Sequence, residues 1–401
     1  MEMPGSNAAK FVTEVEMNYN QYEAGISVLD QLRSPLRRPK ASHIRQLLYM
    51  ALYPPSFQIN EVDITASPSK IKQGVPFRLK TTAIRSAQRL LLSFALTNTP
   101  KGLFRTVMTD SVLARDSQCI TRSKNCWSLL KPGGSKRPKN AWPTLEWFIS
   151  IFEKDESMTE VGQPPFSELL LSQIPPTRDG KARWELSAPL DVVFCCLQQR
   201  NDNYRKLGAR LMALLINLSL TIHLDHSIFV SSVFSRLSTT STDLFVYLML
   251  SITPSPSMLR FKVSLCQHFL RNHDGHVSNI LARPKPQARA PPRPRGSNAT
   301  TLSEPTPEAT AHRVARKIVL PSAKEITRLA SLKPTPSSVS IPRIQFELVQ
   351  AYTLLQRQCA EEERDQDWLS GFYRDNLTGA FGGACEEGRQ FGQVLQTLIE
   401  A

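Results

Sequence analysis

The side chains best suited to holding a metal ion stand in two places. His223, Asp225 and His226 lie close together, and Cys266, His268, His273, Asp274 and His276 form a looser set. Imidazole, thiolate and carboxylate are the ligands of a zinc site, and two histidines three apart on a helix share a face. Against a metal, Asp225 has the position of a helix N-cap, which would put its neighbours at a turn. His273-Asp-Gly-His276 has the character of a helix's hydrophilic end, and no Cys-x-x-Cys pair accompanies either group. Solvated loop histidines are the expectation, and no metal or other cofactor is assigned.

Nucleophilic catalysis needs a Ser or Cys activated by an adjacent base. The chain carries no Gly-x-Ser-x-Gly elbow, no kinase motif set and no papain-type cysteine context. Gly133-Gly134 and the run Gly379 to Gly383 lack the Lys-Ser/Thr and the strand-to-helix setting of a phosphate-binding loop. An enzyme is not expected.

The residues that do invite a functional reading are basic or phosphorylatable. Arg33, Arg37, Arg38 and Lys40 lie among prolines, as do Lys131, Lys136, Arg137 and Lys139, and Arg283 to Arg295 is a third basic stretch. Such clusters serve as nuclear import signals or phosphate contacts, and any one alone also fits a solvated loop. Their recurrence favours a nuclear address, with the cytoplasm also open. Base-stacking aromatics are not interleaved with them. Ser34-Pro-Leu-Arg37 and Ser67-Pro-Ser-Lys70 resemble the site of cyclin-dependent kinases, so Ser34 and Ser67 are candidate phosphosites. Thr306-Pro and Thr335-Pro are weaker versions. The Pro-Arg-Pro-Arg stretch has the composition of a polyproline II ligand.

The elements that would position these residues are helical. Tyr19 to Leu32 places Tyr22, Ile26, Leu29 and Leu32 at helical spacing, and His43 to Leu52 follows two prolines. Residues 53–76 are proline-marked and predict a loop or isolated strand. Helices are expected from Thr81 through Leu96, over Leu103 to Leu113, and over Trp142 to Phe152, whose aromatics suit a core. Ser187 before Pro189 predicts an N-cap with proline in the first turn. Asp225 and Thr242 are candidate caps of two more helices, and Pro254 and Pro256 punctuate another. Residues 283–340 are Pro-, Arg- and Ser/Thr-rich with few large apolar side chains, and predict disorder. Ile344 to Asp365 and Cys385 to Ile399 are amphipathic. Ile344, Leu348 and Leu355 mark a stripe that either folds back onto the body or docks on a partner.

Pro189, Val193, Leu197, Asp202, Arg205, Ala209 and Leu214 resemble a HEAT repeat, in which a proline-bearing helix is followed by an Asp turn and an Arg-led second helix. The resemblance covers one unit, about 189–219. It implies HEAT- or armadillo-like stacking into a solenoid with an extended binding surface. An irregular helical bundle would give the same short loops.

Bulk properties agree with an intracellular binding protein. The 401 residues are 41% hydrophobic and carry a net charge of +14, which favours acidic partners. The seven cysteines are odd in number and irregularly spaced, which predicts reduced thiols. The polar stretch Met1 to Glu16 has no apolar core of a secretory signal, and the apolar run Leu211 to Ile222 is too short for a bilayer. The expected organisation is a disordered 1–18, a helical region with Pro-rich loops over 19–186, a repeat-like region over 187–282, a disordered linker over 283–340 and C-terminal helices over 341–401. The expected fold is all-α. The expected function is a protein-binding adaptor or scaffold in a nuclear, chromatin or genome-maintenance assembly. Protein partners are expected, a membrane is not, and the oligomeric state stays open. Direct DNA or RNA binding through the basic loops is the alternative.

Overall fold

The computed structural model describes residues 22–36, 39–52, 80–101, 125–130, 140–159, 164–177, 181–273, 318–332, 341–369, 390–394 and 397. Among these the chain is mostly helical, with fourteen α-helices and no strand, so the all-α expectation holds. No helix among the described residues is long and apolar enough to cross a membrane. The expected helix over Leu103 to Leu113 and the segment 53–76 lie outside the described residues.

The helices fall into two compact units that divide between Leu218 and Ser219. That division lies inside the 187–282 span expected as one region. The first unit holds α1 (Tyr22–Gln31), α2 (Ala41–Ala51), α3 (Thr81–Thr97), α4 (Cys126–Leu130), α5 (Ala141–Glu156), α6 (Glu168–Ser172), α7 (Ser187–Leu197) and α8 (Asp202–Ser219). At its centre is α5, which packs on α2, α3, α4 and α6. Trp147, Phe148, Ile149, Ile151 and Phe152 are all fully buried, a run too continuous for a one-faced helix. Pro143 stands in its first turn, where a missing N–H costs nothing.

Two adjacent residues at the end of α5 serve opposite helix poles. Lys154 Nζ donates to the carbonyl oxygens of Ala95 (3.1 Å), Leu96 (2.8 Å) and Asn98 (2.9 Å), closing the C-terminus of α3. The buried Asp155 carboxylate accepts from Ser167 Oγ (2.8 Å) and the Leu169 N–H (2.9 Å), at the N-terminus of α6. A cation on carbonyls and an anion on amides is the arrangement the helix dipole favours. Trp127 reaches across similarly, its indole N–H donating to the Gln173 carbonyl at 2.9 Å.

The α7–α8 hairpin closes on a glycine. A Cβ at Gly208 would come within 2.8 Å of Cys196 Cβ and 3.1 Å of the Val193 carbonyl oxygen. Pro189 lies in the first turn of α7 as expected, but Ser187 is the first helical residue rather than the N-cap. Its amide and hydroxyl both turn to the Glu185 carboxylate, which accepts their hydrogens.

The second unit holds α9 (His226–Leu237), α10 (Thr242–Ser251), α11 (Pro256–His273), α12 (Ala323–Ala330), α13 (Ile341–Gln358) and α14 (Gln366–Leu369). Asp225 caps α9 as expected, accepting from the Ile228 N–H at 3.0 Å. Thr242 instead begins α10, with Ser241 at the cap position. Phe229, Phe261, Phe245 and Phe269 form the aromatic core between α9, α10 and α11.

The expectation that 283–340 is disordered throughout is corrected at α12. Ser322 Oγ accepts from the Glu325 N–H, and Ala323, Ile326, Leu329 and Ala330 are buried. The short helix packs on α13 and α11. Asp365 accepts from the Ala323 N–H at 2.7 Å, and Tyr352 Oη donates to the Pro321 carbonyl at 3.0 Å. Gln345 Nε2 closes the other end, donating to the carbonyls of Leu329 (3.3 Å) and Leu332 (2.8 Å). The helix expected over Ile344 to Asp365 ends at Gln358, and a 3-10 turn at Glu361–Glu363 leads into α14.

The surface-docking reading of α13 is also corrected. Ile344, Leu348 and Leu355 are fully buried in the second unit, where α13 packs along α11. Even Glu347 is only 3% exposed; it pairs with Arg343 at 2.6 Å. An ion pair at the edge of an apolar interface lets the helix turn a polar side inward.

Two substitutions test this packing. Gly208→Ala should destabilise the chain by about 1–3 kcal/mol, because neither the Cys196 Cβ nor a backbone oxygen can swing aside. Leu348→Ala should cost about 2–5 kcal/mol, whereas a side chain held out for a partner would cost almost nothing. Urea melts followed by circular dichroism read both.

Candidate functional site

The groove between α5 and α8 in the first unit is the candidate site. It is built on an aromatic pair: the Trp142 and Tyr204 rings stack with centroids 4.2 Å apart at 11°. Trp142 comes from the first turn of α5 and Tyr204 from the first turn of α8, so the two helix starts are brought side by side. The open groove measures about 500 Å³, and Pro143, Glu146, Asn203, Lys206 and Arg210 complete its walls. The period of α8 sets Lys206 and Arg210 on one stripe, one turn apart. Lys206 is exposed.

Arg210 is fixed by the opposite wall. Its Nε donates to Glu153 Oε1 at 2.7 Å and its Nη2 to Glu153 Oε2 at 2.5 Å, a bidentate pair, with Ser150 Oγ at 3.3 Å. The Glu153 hydrogen bonds hold the guanidinium above its ordinary pKa against the opposing effect of burial. Further along the same two helices, Asn217 Nδ2 donates to Glu156 Oε1 at 3.0 Å. Burial pushes the Glu156 carboxyl up to about 7, the Asn217 hydrogen bond opposes the rise, and the charges of Glu153 and Asp155 add to it. The groove thus has an aromatic base, one solvated cation and a rigid Arg–Glu brace. Among the described residues that line it there is no Ser, Cys or His.

The residues singled out from sequence are not gathered here. Arg33 pairs with Asp30 at 3.0 Å. Ser34 lies in the turn after α1, and Lys40 is exposed at the N-cap position of α2. Arg37, Arg38, Ser67, Lys136, Arg137 and Lys139 lie outside the described residues. Trp142 and Trp147 are buried, as expected for core aromatics.

Among the described residues, His226 and His268 sit in packed helices, not in the solvated loops expected of them. His226 is buried, with Nδ1 at 3.1 Å from Ser219 Oγ and Nε2 at 3.4 Å from Ser264 Oγ. His268 packs edge-on against Phe234, and burial lowers its pKa. Asp225 is engaged as the α9 cap. The described residues contain no group of three or more His, Cys, Asp or Glu placed to hold a metal ion; Asp274 and His276 lie outside them. The described cysteines are free, and burial raises the Cys126 and Cys266 thiols, which opposes thiolate formation.

Tyr204, Lys206, Arg210, Glu146 and Glu153 belong to no functional motif in the sequence. The only local signal for them was the i, i+4 basic pair on α8. No family model, no curated protein and no solved structure matches the chain.

Glu156 gives the groove's support a pH dependence. A carboxyl raised in the folded state binds its proton more tightly there than in the unfolded chain. Its stabilising contribution is therefore complete below the ordinary value of 4.5 and lost as pH rises through about 7. Chemical melts between pH 4.5 and 8 should show wild-type stability falling more steeply with pH than that of Glu156→Gln.

Proposed function

We propose that the protein is a non-enzymatic adaptor that binds protein partners on the helical surface of its first unit. The observation that carries this reading is the open groove between α5 and α8, with its stacked Trp142–Tyr204 base and its Arg210–Glu153 brace. A rigid concavity with an aromatic anchor and a charged rim is the anatomy of a protein-recognition site. The resemblance of 189–219 to a HEAT unit supports the same reading, since such hairpins serve as binding surfaces. The recurrent basic clusters support a nuclear assembly, and the expectation of chromatin or genome maintenance rests on them and on the Ser-Pro sites.

The net charge of +14 favours a second reading, direct binding of DNA or RNA through the basic loops. The two readings differ in salt and nuclease dependence. Affinity capture from nuclear extract, with and without nuclease, should recover a set of proteins that survives nuclease. Tyr204→Ala and Lys206→Glu should each lose that set by tenfold or more, Lys206→Glu at an unchanged melting temperature, on the order of a recognition hot spot. Complete loss of partners on nuclease treatment, or capture indifferent to both substitutions, defeats the groove-adaptor reading.

A further inference from the structure

The helix α12 owes its form to the surface on which it lies. Its 8 residues are fewer than the roughly 12–15 that an isolated helix needs in water, so it is helical because it is docked. It runs antiparallel to α13 and also packs on α11: Gln345, early in α13, holds its exit, and Tyr352, two turns further on, holds its entry. Ala323, Ile326, Leu329 and Ala330 are buried, while Ser322, Lys324 and Arg328 are exposed.

The surface beneath reads α12 largely through its backbone. Asp365 Oδ2 accepts from the Ala323 N–H at 2.7 Å, and Tyr352 Oη donates to the Pro321 carbonyl at 3.0 Å. Gln345 Nε2 donates to the Leu329 and Leu332 carbonyls at 3.3 and 2.8 Å. Such contacts recognise the two ends of a helix of this length whatever side chains it carries. Side-chain recognition comes from the buried Ile326 and Leu329 and from Glu325, which pairs with Arg271 of α11 at 3.3 Å. The chain on either side leaves α12 length to move: 49 residues separate His273 from Ala323, and 10 separate Ala330 from Ile341. Ten residues span up to about 33 Å when extended, so α12 can lift away while α13 stays in place.

We propose that the α11–α13 face under α12 is a helix-docking site, and that a short amphipathic helix of a partner protein enters it by displacing α12. The partner helix it fits carries Ser or Thr at the cap, Glu three residues on, and apolar side chains four and seven residues on. That is the pattern of Ser322, Glu325, Ile326 and Leu329, with the apolar pair set into a groove. In the free protein α12, tethered at an effective concentration on the order of millimolar, keeps the site closed. This is a second recognition surface, in the other unit from the α5–α8 groove.

A fluorescein-labelled peptide with the sequence of residues 318–332, titrated into the full-length protein and followed by anisotropy, provides the test. Ile326→Asp in the protein undocks α12 and should raise the affinity for the peptide tenfold or more over wild type, because the tethered competitor is gone. An unlabelled peptide carrying Ile326→Asp should not compete. In the wild-type protein, hydrogen exchange read by mass spectrometry should be tenfold or more faster over 323–330 than over 344–356, as for a segment that opens by itself. No binding to the variant, or equal affinity for variant and wild type, overturns the docking site. Loss of slow exchange over 344–356 in the variant overturns it too, since α12 is then an inseparable part of the core. Equal exchange of the two segments in wild type overturns the displacement. A wild-type dimer in light scattering that Ile326→Asp dissociates assigns the occupant to a second copy and overturns the partner helix.

Discussion

Every α-helix begins with N–H groups and ends with carbonyls that have no partner of their own, and a chain of short helices multiplies such ends. In this protein many of these ends are satisfied from a distance. Lys154 and Asp155 are neighbours in sequence, yet one serves the carbonyl end of α3 and the other the amide end of α6. Gln173 does the same for α4, its side-chain oxygen accepting from the Cys126 N–H at 3.0 Å. Because each of these contacts couples one helix end to the position of another helix, local and tertiary structure are specified together.

The second unit follows the same logic around α13. Asp365 and Tyr352 hold the entry to α12, Gln345 holds its exit, and Gln356 accepts from the Asp365 N–H at 2.6 Å. Polar residues on a helix buried on nearly every side would be costly if unpaired. Here they fasten α12 and the loop after Gln358, and the Arg343–Glu347 pair extends toward Phe346 and Phe391, whose rings the guanidinium overlies at 5.4 and 5.3 Å.

Much of the architecture was legible because it depends on short-range patterns. The aromatic run Trp142 to Phe152 announced a core helix, Asp225 announced a cap, and prolines marked helix starts. What could not be read depended on averaging or on distance. The composition of 283–340 masked the local Ser322-Ala-Lys-Glu325 signature, a recognisable helix start before an apolar-spaced Ile326 and Leu329. The period of α13 displayed one apolar stripe and gave no sign that Gln345, Glu347 and Gln356 would be buried too. The groove joins Trp142 to Tyr204 and Glu153 to Arg210, pairings that no window of sequence contains. His223, Asp225 and His226 are close along the chain, yet Asp225 turns to the Ile228 N–H and His226 to Ser219 and Ser264.

The placement of α13 against α11 has a consequence for how the protein is made. The apolar face of α11 is completed by a helix that begins only at Ile341, after the long stretch that follows His273. At ribosomal speeds that interval lasts on the order of several seconds, during which α9 to α11 exist without their central partner. Bringing the two together closes a long loop, an entropic cost that grows slowly with length but delays assembly. The α11 face of the nascent second unit therefore stays uncovered until α13 has been translated.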